Sequence, residues 1–495
     1  MSGADVVVIG SGPCAAMAAT ELVGKGLNVT MLDAGSRAAR GVIIRAGGKT
    51  LFRWAEPKLL RTDRHRAVGD PSAEWKTSLT QGGLSNYWTS AVPRFTPQDF
   101  TDGASVDERF VWPIGYDDLV PFYERTERAL VVTSGTDFVN VPRNVRRYDA
   151  RLPADWQALC DQAAAQGIGM SAMPMANGKP WMIAPRSTGF NSYHCIIKDL
   201  LRQPGFRLVR SAMARRIRWN AAASAADAVE YVDTASGDTK TIRADAVVVA
   251  AGSLDSTQIL QRSVSDEFPD GLGNVHGLLG HYLHDHPREW WPVDVSRKLT
   301  ALTHPVYISR SPYDASQPLK GSSMTIGLAN NRVERVRSMY GGTTGSFGVQ
   351  VFGTIVPREE STVSIDRDAD ADLDAPVTIS IRYEESAVRD METARDRFRQ
   401  IFADLGIAAE PRGPFHALNP GSSVHYGGTV RMHSSPQFGM LDSWNRLYAV
   451  PNVVVCDASC FTTGPEKNPT LTAMAIAARA GHHLADQLTS KAAGA

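Results

Sequence analysis

Long hydrophobic runs are absent. No stretch of the 495 residues nears the ~20 consecutive apolar positions that a membrane-spanning helix needs, so no membrane partner is expected. An excess of either charge is absent too, because 52 Lys and Arg balance 52 Asp and Glu. A neutral chain has no electrostatic reason to hold nucleic acid or an anionic lipid surface. Cysteine is scarce: Cys14, Cys160, Cys195, Cys456 and Cys460 include no C-x-x-C pair. This fits reduced thiols better than a disulfide framework, so a cytoplasmic location is expected. The first strand is read from residue 5, so no secretion signal is expected ahead of it. What remains is globular in composition, 43% hydrophobic and 21% charged. The length calls for two or more domains, or for a large α/β core with insertions.

The stretch that organises the chain is at its front. Val6 to Ile9 is a continuous β-branched run, as expected of a strand buried on both faces. Gly10 and Gly12 follow at once, Pro13 opens a helix, and Ala15 completes G-x-G-x-x-A. Leu27 to Leu32 reads as the next strand, with Asp33 at its end and Ala34 after it. The mechanics suit a dinucleotide. Gly10 permits the tight turn, Gly12 lets a pyrophosphate approach the backbone, and Ala15 lets helix and strand pack closely. The helix N-terminus faces the phosphate charge, and Asp33 can accept from a ribose hydroxyl. The motif alone leaves open which dinucleotide is held.

Farther along, Arg61, Arg64, His65 and Arg66 form a basic cluster expected to be a solvated loop face. Paired glycines in Gly82-Gly83-Leu84-Ser85-Asn86-Tyr87-Trp88-Thr89 suggest backbone laid against something flat. Residues 112–130 read as a turn and an amphipathic helix that Asp117 would cap. Residues 137–190 read as loops and short helices around a pocket. A second nucleotide-type region covers 205–262: a strand from Phe206, hairpin strands near 217–219 and 228–232, then a buried strand from Ala246 ending at Ala251-Gly252, with a helix from Ser253. The cofactor domain is therefore expected to be discontinuous.

His276, His281, His284 and His286 invite a metal reading, but no carboxylate or cysteine completes a ligand set, and none is assigned. Alternating patterns between 291 and 385 predict an antiparallel sheet. The run Asp366, Asp368, Asp370, Asp372, Asp374 between two of its strands reads as a hairpin tip, because Ala371 and Val377 stand where a calcium loop needs Gly and Glu. Val388, Met391, Ala394, Phe398, Ile401 and Leu405 mark an amphipathic helix over 387–406.

Near the C-terminus lie two further segments, Ser422-Ser-Val-His425-Tyr-Gly-Gly-Thr-Val-Arg-Met-His433 and Asn452-Val-Val-Val-Cys-Asp457 running on to Asn468-Pro469-Thr470. Val453 to Val455 read as another buried strand. Asn468 and Pro469 are good helix-start chemistry.

Together these segments resemble the glucose–methanol–choline (GMC) oxidoreductases, and within them most closely the pyranose oxidases and bacterial glycoside 3-oxidases. The resemblance runs through the N-terminal G-x-G-x-x-A with Asp33, Gly82 to Phe95, Ala250-Ala-Gly-Ser, Leu283-His-Asp-His-Pro, His425-Tyr-Gly-Gly-Thr and Asn468-Pro-Thr-Leu-Thr-Ala-Met. It implies an α/β fold. A Rossmann-like FAD-binding domain (1–95, 195–290 and 417–495) would be joined to an α+β substrate domain (96–194 and 291–416) with an antiparallel sheet backed by helices. By the same resemblance, Gly10, Gly12, Pro13, Ala15, Asp33, Ala34, Gly82, Gly83, Ser85, Asn86, Tyr87, Trp88, Thr89, Met213, Ala251, Gly252, Asp457, Pro469 and Thr470 would hold FAD, with Thr89 near flavin N5. The substrate pocket would draw on 340–355 and 416–425. His425 would be the base, and Asn468 would orient the substrate hydroxyl by hydrogen bonding, in oxidising a C2 or C3 hydroxyl of a pyranose sugar or glycoside, C-glycosides included. Molecular oxygen or another acceptor would take the electrons. The alternative is an alcohol, aminoglycoside or cyclitol dehydrogenase that uses a non-oxygen acceptor. Tyr87 stands where flavin-linking members carry histidine, which implies non-covalent FAD.

Overall fold

The computed structural model describes residues 4–38, 40–46, 49–55, 60–70, 72–135, 142–177, 190–310, 316, 318–327, 341–367, 373, 375–383, 385–413 and 419–494. Its first layer is a seven-stranded sheet. Strands Phe206–Val209, Val29–Leu32, Ala4–Ile9 and Thr239–Val249 lie side by side and parallel. The last of these is shared. Its first half pairs antiparallel with Ala225–Asp233, which turns back to Ala212–Asn220, while Val247–Val249 pair in parallel with Val453–Val455. The apolar runs at 6–9, 246–249 and 453–455 are thus three neighbouring strands, each covered on both faces, which is why none of them alternates.

Helices Pro13–Gly24 and Thr470–Gly494 cover one face together. They approach so closely that a Cβ on Gly481 would lie 2.8 Å from the Ala18 carbonyl oxygen. Small residues (Ala15, Ala16, Ala18, Ala19, Ala475, Ala477 and Ala478, all fully buried) make that approach possible.

A six-stranded, wholly antiparallel sheet forms the second unit, in the order Met170–Ala172, Val306–Ile308, Ser322–Ile326, Thr343–Gly353, Arg288–Thr300, Ala409–Pro411. Helices Ala154–Ala165 and Glu385–Asp404 pack on it through Trp156, Leu159, Met391, Phe398, Ile401 and Phe402, against Trp291, Val293, Phe347 and Val349. The expected stripe at Met391, Ala394, Phe398, Ile401 and Leu405 is buried.

Three details differ from the sequence reading. Gly115, not Asp117, caps the helix Tyr116–Leu130, and the carboxylate that accepts its N–H, at 2.8 Å, is Asp118. The helix starts two residues earlier than a cap at Asp117 implies, so Asp118 at the third helical position is the acid that reaches back to the cap. Arg64 is not on a solvated face: it is buried and paired with Asp255 at 3.4 Å, because strand His65–Val68 runs parallel to Val377–Ser380 and carries it inward. The second strand begins at Val29 rather than Leu27. Strands Thr362–Ser364 and Val377–Ser380 pair antiparallel around the acidic run, whose positions 368, 370, 372 and 374 lie outside the described residues.

Candidate active site

The glycine turn sits where the first strand meets its neighbour. Gly10 has φ +104°, and a Cβ there would lie 2.5 Å from the Ala250 carbonyl oxygen. Only glycine fits so close to the parallel strand. Gly12 precedes Pro13 at the start of the helix, which has no side-chain cap, and a Cβ on Gly12 would meet nothing within 4 Å. The turn therefore presents an uncapped helix N-terminus to open space.

The paired-glycine segment packs onto this turn. The Gly82 amide donates to Ser11 Oγ at 2.8 Å, and Ser192 Oγ donates to the Ser11 carbonyl at 2.8 Å. Ser85 Oγ donates to the Gly82 carbonyl, and Asn86 Nδ2 donates to the Gly83 carbonyl at 2.8 Å. Trp88 anchors on the Phe190 carbonyl at 3.1 Å, while Tyr87 and Thr89 are exposed.

Asp33 lies beside the turn, accepting from the Gly35 amide at 2.8 Å, with Ala34 half-buried next to it. Burial raises its carboxyl to about 6 despite donors from Ser11 and Gly35. Met213 follows Ala212, whose amide donates to the Asp33 carbonyl at 2.8 Å. Gly252, at φ +92°, opens the helix Ser253–Arg262, again with nothing within 4 Å of an added Cβ. Asp457 commits both carboxylate oxygens to the chain itself: Oδ2 takes the Gly252 amide (2.9 Å) and Ser256 Oγ (2.5 Å), and Oδ1 takes the Ser459 amide (2.9 Å). It locks the last strand of the sheet to the helix start beside it.

The second cluster joins three segments remote in sequence. His425 Nε2 lies 3.1 Å from Asn468 Nδ2, and His425 Nδ1 lies 3.0 Å from His286 Nδ1. The Phe352 ring packs on His425 with centroids 4.8 Å apart. Residues 282–286 and 425–429 run antiparallel, with the amides and carbonyls of His284 and Gly427 exchanging bonds of 2.9 and 3.0 Å. That register sets His286 opposite His425. The crossing is tight: a Cβ on Gly427 would lie 2.3 Å from His284 Nε2, and one on Gly428 would lie 2.1 Å from the Tyr282 carbonyl oxygen.

Asp285, between the two histidines of its segment, holds the opposite strand. It accepts from the His425 amide at 2.8 Å and from the Ser423 hydroxyl. These bonds fix Val424 in the left-handed region at φ 59°. Burial raises Asp285 to about 6. Burial, then His286 and Arg288, hold His425 well below the ordinary histidine range, so its imidazole is neutral at pH 7.

Asn468 is fixed from the other side. Its neighbour Lys467 is buried between Asp99 (2.9 Å) and Glu466 (2.7 Å). Pro469 is buried, and Thr470 is the first residue of the long C-terminal helix. Asn468 therefore directs its amide to His425.

Models described as GMC oxidoreductase match residues 43–288 and 357–477. The chain belongs to the GMC oxidoreductase family. It is an FAD-dependent enzyme acting on CH–OH groups. Paromamine 6'-oxidase of Streptomyces fradiae is 26% identical, the match covering 98% of this chain and 92% of that protein. C-glycoside 3-oxidase of Microbacterium trichothecenolyticum is 25% identical, covering 98% and 97%. In fold, the chain is similar to pyridoxine 4-oxidase from Mesorbium loti (TM-score 0.65, 17% identity, 97% and 99% covered) and to an FAD-dependent oxidoreductase from Chaetomium thermophilum (TM-score 0.67, 16% identity, 99% and 100% covered).

The residues present fit FAD. Both Gly12 and Gly252 face space that a Cβ would enter unopposed, the helix start is uncapped, and the buried Asp33 carboxylate stands beside them. This is the donor and acceptor set a dinucleotide needs. Among the described residues, no helix is long and apolar enough to cross a membrane.

Sequence reasoning missed His286, Asp285 and Arg288 as members of the site. The L-x-D-H-P segment was visible, but nothing in a linear pattern says that it pairs with the segment carrying His425. Of the expected pocket stretches, Phe352 packs against His425, while 340 and 416–418 lie outside the described residues.

Proposed function

We propose that this enzyme oxidises a secondary ring hydroxyl, at C2 or C3, of a pyranose sugar or glycoside to the keto sugar. The observation that carries the reading is the neutral His425 whose Nε2 faces the amide of Asn468 at 3.1 Å. FAD, when bound, supplies the two-electron acceptor for the hydride that leaves the carbinol carbon. His425 takes the hydroxyl proton on Nε2: the O–H bond breaks, an N–H bond forms, and the carbonyl is left behind. A neutral imidazole suits that task. Asn468 Nδ2 occupies the Nε2 lone pair before substrate arrives; the substrate hydroxyl takes that place, and the freed amide N–H orients the substrate oxygen.

The residues from Gly10 to Ala15, with Asp33, Ala34 and Met213, are proposed to hold the ADP half of the cofactor. The 82–89 segment and Asp457, Pro469 and Thr470 would flank the rest. Tyr87, in place of a linking histidine, supports non-covalent FAD. The cofactor domain is proposed to comprise 1–95, 195–290 and 417–495, and the substrate domain 96–194 and 291–416. Molecular oxygen or another acceptor closes the cycle. The kinship with two C-glycoside 3-oxidases supports a glycoside substrate.

A second reading rests on the aminoglycoside relatives. Paromamine 6'-oxidase and 6'''-hydroxyparomomycin C oxidase are 26% and 27% identical over 98% of the chain, which favours an amino sugar alcohol as the alternative. Anaerobic bleaching of the flavin across free sugars, O-glycosides, C-glycosides and aminoglycosides, with NMR of the product, separates the two. Peroxide yield against dye reduction identifies the acceptor. His425→Ala is expected to slow anaerobic reduction by at least ~10²-fold. Reduction at the wild-type rate in that variant would overturn the mechanism.

A further inference from the structure

We infer that His286 is a positioning residue that holds His425 in the tautomer with its proton on Nδ1, so that Nε2 carries the lone pair a base needs. The inference rests on the reading of His425 as the base and deepens it.

A neutral imidazole carries one N–H and one lone pair, and its neighbours decide which nitrogen has which. His425 has one neighbour at each nitrogen. On the Nε2 side stands Asn468 Nδ2, assigned toward the ring, which can only donate. Nε2 must therefore present its lone pair, and the proton must lie on Nδ1. Across from Nδ1, at 3.0 Å, is His286 Nδ1. Two nitrogens at that distance share one proton between them. With the proton on His425, His286 Nδ1 is the acceptor, and His286 carries its own proton on Nε2. The opposite assignment would put a second donor against Asn468.

The pair is rigid. His286 is buried, the rings meet edge to face with centroids 5.0 Å apart, and Phe352 packs on both rings. The backbone register of residues 284 and 427 sets their spacing.

The same contact serves the charged state. When His425 takes the substrate proton on Nε2, it becomes a cation whose Nδ1–H still donates to a neutral His286. A neutral acceptor is what that cation needs, and His286 is kept neutral. Burial, then His284, push it down to about 3, with Glu466 and Lys467 acting in opposite senses from the segment before Asn468. The titratable groups acting on His425 are His286, itself neutral, and the Arg288 cation. Arg288 donates to the Ser422 carbonyl at 2.9 Å and, with the Gln350 amide turned to match, to the Gln350 side-chain oxygen.

Two variants of the holoenzyme test this. His286→Asn keeps an acceptor near the position of Nδ1, and His286→Leu removes it. The first readout is the tautomer itself, from imidazole ¹⁵N NMR of histidine-labelled enzyme, with His425→Asn to assign the signal. Wild type and His286→Asn should show His425 protonated at Nδ1; in His286→Leu the buried Nδ1–H loses its acceptor, so the Asn468 amide turns its oxygen to the ring and the proton shifts toward Nε2. The second readout is anaerobic flavin reduction against pH. His286→Leu should lower the saturating rate at least about tenfold and move its acid limb, with substrate affinity within about twofold and flavin content unchanged, while His286→Asn recovers most of the rate.

An Nε2–H signal in the wild type would overturn the inference. So would a His286→Leu enzyme with the wild-type tautomer and pH profile, or equal losses in both variants accompanied by weakened substrate or flavin binding. If no sugar or aminoglycoside reduces the wild type, the functional reading fails, and the tautomer measurement still decides the role of His286.

Discussion

Three histidines in and around the candidate site are kept neutral by burial, and each does something different with its nitrogens. His425 faces Asn468 and His286, whereas His284 directs Nδ1 to the Tyr282 carbonyl at 3.2 Å and wedges its ring against Gly427, Gly428 and Gly464. Burial lowers His284 to about 4. Below the unfolded value of about 6.5, the unfolded chain therefore binds a proton that the folded chain refuses, so this residue's contribution to stability falls as pH drops toward 4. His284→Gln should be less stable than wild type at neutral pH. The gap should narrow by up to about 1.4 kcal/mol per pH unit below pH ~6.5, read from denaturant midpoints at several pH values. A constant gap would mean that His284 is not buried neutral. His425 and Asn468 could be picked out from the sequence because their flanking motifs are distinctive. His286 could not, since its role depends wholly on what lies across from it.

The crossing of segments 282–286 and 425–429 is the element on which the site depends. It is barely a sheet, an isolated bridge, yet it aligns both histidines and lets Asp285 reach the His425 amide. The two glycines after Tyr426 are there for space. Gly428 has φ +75°, and any side chain would strike the Tyr282 carbonyl at 2.1 Å, a backbone atom that cannot step aside. Gly428→Ala should cost about 1–3 kcal/mol of stability and slow flavin reduction, because relief of the clash must shift the register that faces His286 to His425. Denaturant midpoints and anaerobic rates check this, and an unchanged rate would show that the register is not needed. The glycines were legible as a motif. Their purpose, making room for His284 and the Tyr282 carbonyl, was not.

The two ends of the chain form one layer. Val453–Val455 lie beside Thr239–Val249, which lies beside Ala4–Ile9, and the final helix packs on the first through Gly481 and Ala18. Asp457 then reaches across to the Gly252 amide. Chain truncated near residue 290 would expose the apolar faces of Pro13–Gly24 and Thr239–Val249 and lose Asn468. It should therefore fail to retain flavin, measured by absorbance after gel filtration. Stoichiometric flavin in that fragment would contradict the shared layer. The buried Asp99–Lys467–Glu466 cluster also couples the segments, tying residues near 100 to the one that carries Asn468.

By itself the sequence determined the local events: where β-branched runs make buried strands, where glycines make a phosphate turn, where an apolar stripe makes a helix, and which motifs mark the family. Each depends on spacing along the chain, and spacing is what a sequence records. Tertiary structure alone decided which segments meet. The His286–His425 contact spans 139 positions and the Asn468–His425 contact 43. The burial that keeps these imidazoles neutral comes from packing of the assembled layers, and no linear pattern encodes it.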